Sequence, residues 1–350
     1  MTADATEEAE QLLSDLLAGE QRALARAISK IEDRRPGYRD LVAGLHEHTG
    51  GATVIGVTGS PGAGKSTLVD KLSAAYREQG LTVGIIAVDP ASPFTGGAVL
   101  GDRIRMGSTV GDMDVFVRSM SARGTLGGLS TATTDAIRAL DAFGKDVIVI
   151  ETVGAGQNEV DVVRTADTVA VLVQPGSGDD IQTLKAGILE IADVFVVNKA
   201  DMDGADRTVQ ELTEMVQHSV GGHVETSGHH GPGVDEEVEL EGTEDREWVP
   251  PIVETTATSG EGVEDLVDAF EAHRKYLEAS GELEEQARTR YAEEIRALLR
   301  ADLGDLIERE IEDRGGMDDL VEQVRKRETD PYTVVDSVVE PIAECVEDEG

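Results

Sequence analysis

The sequence predicts an α/β fold: a mostly parallel sheet covered by helices on both faces, with helical extensions at the N- and C-termini. Two observations carry this. Between residue 53 and about residue 200, short apolar runs alternate with stretches of helical periodicity. Strands that are apolar throughout belong to sheets buried on both faces. Within the first alternation, a glycine-rich loop, Gly59-Ser60-Pro61-Gly62-Ala63-Gly64-Lys65-Ser66, joins a strand to a helix.

In chain order, Leu12, Leu13, Leu16, Leu17, Leu24 and Ile28 recur at helical spacing and predict one helical region over 6–32. Pro36-Gly37 breaks it, a second helix covers Tyr38 to His46, and Thr49-Gly50-Gly51 ends that. Residues 1–50 therefore read as a helical extension that packs on the main domain. The predicted strands are 53–58, 82–88, 114–118, 146–150, 167–173, 193–197 and 251–255. Helices are expected at 65–79, 125–143, 157–165, 179–191, 203–217 and 262–279. Together these make one α/β domain over 51–279. Residues 218–247 interrupt it with His218, His223, His229, His230, several glycines and an acidic run. They read as a solvated loop on no regular element, and a metal site there lacks any accompanying cysteine. From 280 to 350 the chain is helical and charged. Leu283, Ala287, Tyr291, Ile295, Leu298 and Leu299 form one apolar stripe. Leu320, Val321 and Val324 mark a later helix. Val334, Val335, Val338, Ile342 and Val346 mark the inner side of the last one.

Composition limits the function. Aromatic residues make up 3% of the chain, so the core is built from Val, Ile, Leu and Ala. No apolar run reaches membrane-spanning length. The acidic start, Met1-Thr2-Ala3-Asp4, does not read as a signal peptide. Cys345 is the single cysteine, which excludes an internal disulfide. A soluble, cytoplasmic protein is expected. The net charge is −39, and its carboxylates are spread through patterned segments. That argues against nucleic acid as a partner and for a halophilic surface kept solvated by acids.

The Gly59–Ser66 loop matches Gly, four residues, Gly-Lys-Ser, the phosphate-binding pattern of P-loop NTPases. Glycines let successive backbone N–H groups turn toward the phosphates, and the helix N-terminus adds partial positive charge. Gly59, Ser60, Pro61, Gly62, Ala63, Gly64 and Thr67 complete the expected cradle. Lys65 reaches the β- and γ-phosphates, and the Ser66 hydroxyl suits Mg²⁺. A second motif, Asn198-Lys199-Ala200-Asp201, follows the strand 193–197. The Asn198 amide can bond the purine and hold the loop, and the Lys199 stem can lie along the ring. The Asp201 carboxylate can accept from two N–H groups on one base edge, which guanine has and adenine lacks. GTP is the expected nucleotide. Backbone N–H groups of Thr256-Ala257-Thr258 are expected to meet guanine O6. Asp89, Asp102 and Glu151 stand at or just beyond strand ends, where hard oxygen ligands for Mg²⁺ belong. Gly154 offers its N–H to the γ-phosphate. Gln157, Arg105 and Lys185 are candidates for positioning water or neutralising charge.

These segments together resemble one family. Besides the two motifs, they include Val88-Asp89-Pro90-Ala91-Ser92-Pro93-Phe94-Thr95-Gly96-Gly97, Leu100-Gly101-Asp102-Arg103-Ile104-Arg105-Met106 and Arg123-Gly124-Thr125-Leu126-Gly127-Gly128-Leu129. Glu151-Thr152-Val153-Gly154-Ala155-Gly156-Gln157 completes the set. The sequence resembles the MeaB/ArgK GTPases, the family of the methylmalonic aciduria type A protein, over roughly residues 10 to 340. The resemblance implies a homodimer with helical extensions and slow hydrolysis of Mg²⁺-bound GTP. It implies a partnership with adenosylcobalamin-dependent methylmalonyl-CoA mutase, whose cofactor loading the protein gates and whose activity it protects. Asp89, Asp102 and Glu151 fall at the family's Mg²⁺-associated acids. Residues 175–188, with Lys185, fall at a loop that reports nucleotide state. Two departures stand out. The 218–247 insertion is longer than the family pattern, and Thr256-Ala257 replaces a common Ser-Ala pair.

Other readings are a nickel-insertion GTPase, a small-molecule kinase and a transport-associated ATPase. The Asn198–Asp201 motif opposes ATP, the missing membrane segment opposes a transport channel, and the histidines at 218–247 are in the wrong place for a nickel site. The acidic surface makes its own prediction. The unfolding temperature should climb steeply with KCl as self-repulsion is screened. A melting curve indifferent to salt would contradict the halophilic reading.

Overall fold

A computed structural model of the chain describes residues 2–89, 111–121, 128–152, 165–176, 191–220 and 247–347. The predicted helices at 157–165 and 179–191 fall almost wholly outside these residues. Contacts divide the chain into two compact units, Met1–Ala287 and Arg288–Gly350.

The first unit is built on seven strands: β1 (Thr53–Gly59), β2 (Val83–Asp89), β3 (Val115–Ser121), β4 (Val147–Thr152), β5 (Thr168–Val173), β6 (Val194–Asn198) and β7 (Ile252–Thr255). They lie in the order β3-β2-β4-β1-β5-β6-β7, and every pairing is parallel. Side chains of a strand alternate between faces, so uniformly apolar strands feed two cores. Val54, Ile86, Ile148, Ile150, Val171 and Phe195 enter one. Ile55, Val57, Ile85, Val149, Leu172 and Val196 enter the other.

Helices seal both faces. On the first lie α1 (Thr2–Leu17), α2 (Gln21–Glu32), α3 (Tyr38–His46), α5 (Gly128–Ala142) and α6 (Ala205–Val220). On the second lie α4 (Lys65–Glu78) and α7 (Val263–Ser280), through Leu68, Leu72, Leu266 and Phe270. The N-terminal helices are thus part of the first core: Leu16, Leu24, Ile28, Leu41 and Leu45 have no exposed surface.

The helical region expected over 6–32 is two helices. Gly19, at φ +83°, ends α1. Its N–H donates to Leu16 O at 2.9 Å, and that of Glu20 donates to Asp15 O at 3.1 Å. This pair of bonds is the Schellman stop, which a glycine at that position favours. A second difference concerns His218. It lies in the last turn of α6 rather than in an irregular loop; His223, His229 and His230 fall outside the described residues.

The second unit contains most of α8 (Glu282–Asp313), with α9 (Met317–Arg325) and α10 (Pro331–Glu347). Among the described residues its buried apolar side chains are Ile311, Leu320 and Val338, with Val334 against them. The expected stripe on α8 faces solvent at Tyr291, Ile295 and Leu299, continued by Leu303 and Leu306. Val335, expected on the inner side of the last helix, is also exposed, as is Val339. Residues four apart share a helix face, so 334 and 338 point one way and 335 and 339 another. Valine-rich sequence did not distinguish the two.

The start of the sheet carries a buried polar cluster. The Thr168 hydroxyl and His273 Nδ1 are 2.8 Å apart, and His273 Nε2 lies 3.4 Å from Asp193 Oδ1. Val169 N–H donates to Asp193 Oδ2 at 2.7 Å, and the indole of Trp248 donates to Asp193 O at 2.8 Å. Trp248 and Tyr276 both pack near the imidazole, and Tyr276 O–H donates to Glu282. Burial lifts the Asp193 carboxyl from 3.8 to about 7; the Glu282 charge adds to this and the Val169 N–H opposes it. Burial lowers His273 from 6.5 to about 4.

The two groups act in opposite directions. Asp193 favours its protonated form in the fold, so its contribution is complete below the unfolded value of 3.8 and is lost as pH rises through about 7. His273 favours its neutral form, so its contribution is complete above 6.5 and is lost as pH falls through about 4. Asp193→Asn should therefore gain stability relative to the unaltered chain between about pH 5 and about pH 8. Urea unfolding at both pH values checks this, and an equal difference at the two would refute it.

Candidate functional site

All seven strands are parallel, so their carboxyl ends share one edge of the sheet. Gly59, Asp89, Thr152, Val173, Asn198 and Thr255 end their strands there. The chain leaves β1 through α4 but returns at β2, beyond β4. The order therefore reverses around β1, and ligands of open α/β sheets gather outside such a point.

The Gly59–Ser66 loop sits at this place, and its glycines are required by geometry. Gly59 has φ +141°, and a Cβ on it would lie 2.1 Å from Leu172 O of β5. Gly64 has φ +96°, and its Cβ would lie 2.4 Å from Asn198 Nδ2. Lys65 opens α4 with its stem buried; its ammonium donates to Gly59 O at 2.6 Å and to Ser60 O at 3.0 Å. Ser60 and Ala63 are buried, whereas Pro61, Gly62 and Thr67 are exposed. An anion here would meet a helix N-terminus and a lysine already directed at the loop.

The Ser66 hydroxyl donates to Glu151 Oε1, and Glu151 is buried at the end of β4. Behind them Thr152 and Thr58 join hydroxyls at 3.0 Å. This brings together two of the four residues expected around Mg²⁺, as a hydroxyl and a carboxylate. Both are hard oxygen donors of the kind that ion takes. Asp89 ends β2, whose neighbouring Val88 is in register with Thr152, so its backbone reaches the same edge. Asp102, Gly154, Gln157, Arg105 and Lys185 lie outside the described residues.

Asn198 is buried, with 1% exposed. Its amide donates to Ala63 O at 2.7 Å, across from β6 to the glycine loop. Its Oδ1 accepts from Thr255 Oγ1 and from Ala257 N–H, each at 3.1 Å. One side chain thus joins three loops. Lys199 has φ +63°, a left-handed conformation that a non-glycine residue adopts only when held there. Its ammonium donates to Gly62 O at 2.7 Å and to Gln174 Oε1 at 2.8 Å. Asp201 is exposed two residues on.

In the 256–258 turn two backbone N–H groups are engaged within the chain. The Thr256 N–H donates to Glu261 O at 3.0 Å, and the Ala257 N–H donates to Asn198. A guanine oxygen arriving there would have to share or displace these bonds. Sequence reasoning missed both Gln174 and Glu261. Gln174 had a signal, because it is the first residue after β5 and immediately precedes the loop singled out at 175–188. Glu261 had none, since its contribution is a backbone carbonyl.

Comparison with known proteins fits this geometry. A family model described as methylmalonyl-CoA mutase-associated GTPase MeaB matches residues 24–312. A relative from Pyrococcus horikoshii is 46% identical over 333 residues, 95% of this chain and 98% of its own. GTPase ArgK of Escherichia coli is 33% identical over 285 residues, 80% of each chain. The mouse mitochondrial methylmalonic aciduria type A homolog is 31% identical over 296 residues, 81% of this chain and 67% of its own. A crystal structure of a LAO/AO transport system kinase shares the fold with a TM-score of 0.64. It is 23% identical and covers 96% of this chain and 97% of its own.

The Asn198 bridge generates a prediction independent of any ligand. Asn198→Ala leaves Ala63 O, Thr255 Oγ1 and Ala257 N–H without their buried partner. It should lower folding stability by about 3 kcal/mol. Denaturant unfolding measures this, and a loss within experimental error would show that the three loops do not depend on the bridge.

Proposed function

The chain belongs to the MeaB family of GTPases, and from that premise we propose that it hydrolyses GTP as a chaperone of an adenosylcobalamin-dependent methylmalonyl-CoA mutase. In this role it gates cofactor loading and protects the mutase. The observation carrying the nucleotide part is the direct bond from Asn198 to the glycine loop, which puts a guanine-reading motif beside a phosphate-binding one. The partner part is supported by the description of the matching family and by the mouse relative's name.

On this reading the phosphates lie over Gly59–Ser66 and Thr67. Their oxygens take over the Lys65 ammonium from the carbonyls of Gly59 and Ser60. Charged acceptors bind an ammonium more strongly than amide carbonyls do. The base lies against the Lys199 stem with Asp201 on its N1–H and N2–H edge, and Ala257 N–H is the donor nearest the Asn198 bridge. Ser66 and Glu151 would hold Mg²⁺, with Asp89 joining from the strand end and Asp102 added by the reading of the sequence. The ion would neutralise phosphate charge. Gly154 at the γ-phosphate, and Gln157 and Lys185 near the reacting water, rest on the reading of the sequence. Phosphoryl transfer to water needs mainly positioning and charge compensation, which suits a slow hydrolase whose output is conformational.

The exposed apolar residues of α8 support a homodimer. Tyr291, Ile295, Leu299 and Leu303 lie on a helix whose single buried residue is Ile311. A second copy of the same helix would cover them. Among the described residues no helix is long and apolar enough to cross a membrane, which is compatible with a cytoplasmic protein.

Three measurements test the proposal. Lys65→Ala should abolish GTP hydrolysis and weaken triphosphate binding by at least about tenfold. Asp201→Asn should move preference from GTP toward xanthosine triphosphate, whose base edge presents a carbonyl to the amide; unchanged GTP affinity would refute the assignment. GTP turnover should rise when the mutase from the same cell is added. Turnover indifferent to the mutase would remove the chaperone role while leaving the GTPase in place.

A further inference from the structure

We propose that Gln174 is a positioning residue for nucleotide binding: its side-chain carbonyl fixes the Lys199 ammonium so that the base loop and the phosphate loop act as one body. The inference rests on the nucleotide part of the proposed function and assigns a role to a residue outside both motifs.

The geometry starts from β5. That strand lies between β1 and β6. Its Leu172 is in register with Gly59, and its Val173 with Val197. The residue after Val173 therefore emerges between the start of the glycine loop and the start of the Asn198–Asp201 loop. Gln174 occupies this place, half-buried. Its Oε1 accepts from Lys199 Nζ at 2.8 Å, while the same ammonium donates to Gly62 O at 2.7 Å.

An ammonium is a compact charge on a flexible four-carbon stem, and ordering that stem carries a substantial entropy cost. Two acceptors on different loops hold the head at one point, so the stem between them is held as well. Without Gln174 the head keeps a single carbonyl, on a loop that is itself exposed at Gly62. The left-handed backbone of Lys199, φ +63°, adds to the argument. Such a conformation persists where the surroundings over-determine it, and Gln174 and Gly62 are two of the groups that do so.

The residue type also matters. A glutamine carbonyl is neutral. It orients the lysine and leaves its positive charge available beside a polyanionic ligand. A carboxylate would bind the ammonium more strongly and cancel its charge. The two effects can be separated by substitution.

The test is release of a fluorescent GDP analogue from the full-length protein with Mg²⁺ and GTP chase. Gln174→Met keeps the bulk of the side chain and removes the acceptor; release should become roughly tenfold faster, the usual worth of one hydrogen bond to a charged group. Gln174→Glu restores the acceptor and should bring release back toward the unaltered rate at high salt, where its added charge is screened. In a double-mutant cycle, Gln174→Met should add little to Lys199→Ala, because both remove the same contact. Release from Gln174→Met at the unaltered rate would overturn the inference. So would full additivity with Lys199→Ala, or a Gln174→Glu variant no better than Gln174→Met at high salt. Should the unaltered protein bind no guanine nucleotide, the proposed function fails first. If it binds and the variants match it, the role of Gln174 alone fails.

Discussion

The candidate site depends on one buried amide. Asn198 gives its N–H to the glycine loop and receives bonds from Thr255, which ends β7, and from Ala257 just beyond it. An isolated polar side chain at this depth would carry a heavy desolvation cost. Here its bonds offset that cost and make the three loops mutually dependent. Gly64 completes the arrangement, since any larger residue would collide with the Asn198 amide. The two sequence motifs are therefore halves of one contact. The spacing between them in the chain is free to vary, provided β1 and β6 flank β5 in the sheet.

This explains what was legible in the sequence. Apolar strands such as Val147–Ile150 give no face preference, yet their count and mostly parallel sense follow from alternation with helices. The motifs fell on strand ends because a parallel sheet collects those ends along one edge. Bonds made by backbone groups were not legible. Nothing in the residue names Thr256 and Ala257 says that their N–H groups already serve Glu261 and Asn198. Gln174 was missed for a related reason: its place after β5 was readable, but what makes it matter is the register of β5 with β1 and β6. The division at Gly19 had a local cause, but a single glycine in a leucine-rich run is a weak stop until the two closing bonds are seen.

The unit from Arg288 onward poses a different physical problem. Among the described residues its buried apolar side chains are few, and Leu299, Leu303, Val321 and Val335 are open to water. Alternating apolar and acidic residues satisfy helix formation without specifying which apolar face is covered. Surface carboxylates add repulsion that salt would screen. A partner surface of matching shape is the economical solution, and the proposed homodimer supplies one from the same sequence.

The charge of the whole chain raises the question of how such a protein would hold a nucleoside triphosphate. A net charge of −39 repels polyanions at long range. At physiological ionic strength that repulsion decays over about 8 Å, so affinity must come from groups in contact. Lys65 and Lys199 are arranged for this, because both ammoniums already rest on carbonyls of the glycine loop: Gly59 and Ser60 for one, Gly62 for the other. Their positions are set before any ligand arrives: for Lys65 a phosphate oxygen is a better acceptor than the carbonyls it replaces, while Lys199 keeps its hold on Gly62 beside the base. The local field at the loop can therefore be positive although the molecule is strongly negative. Added salt weakens the repulsive background more than these short contacts, so nucleotide binding and a strongly acidic surface are compatible in one chain.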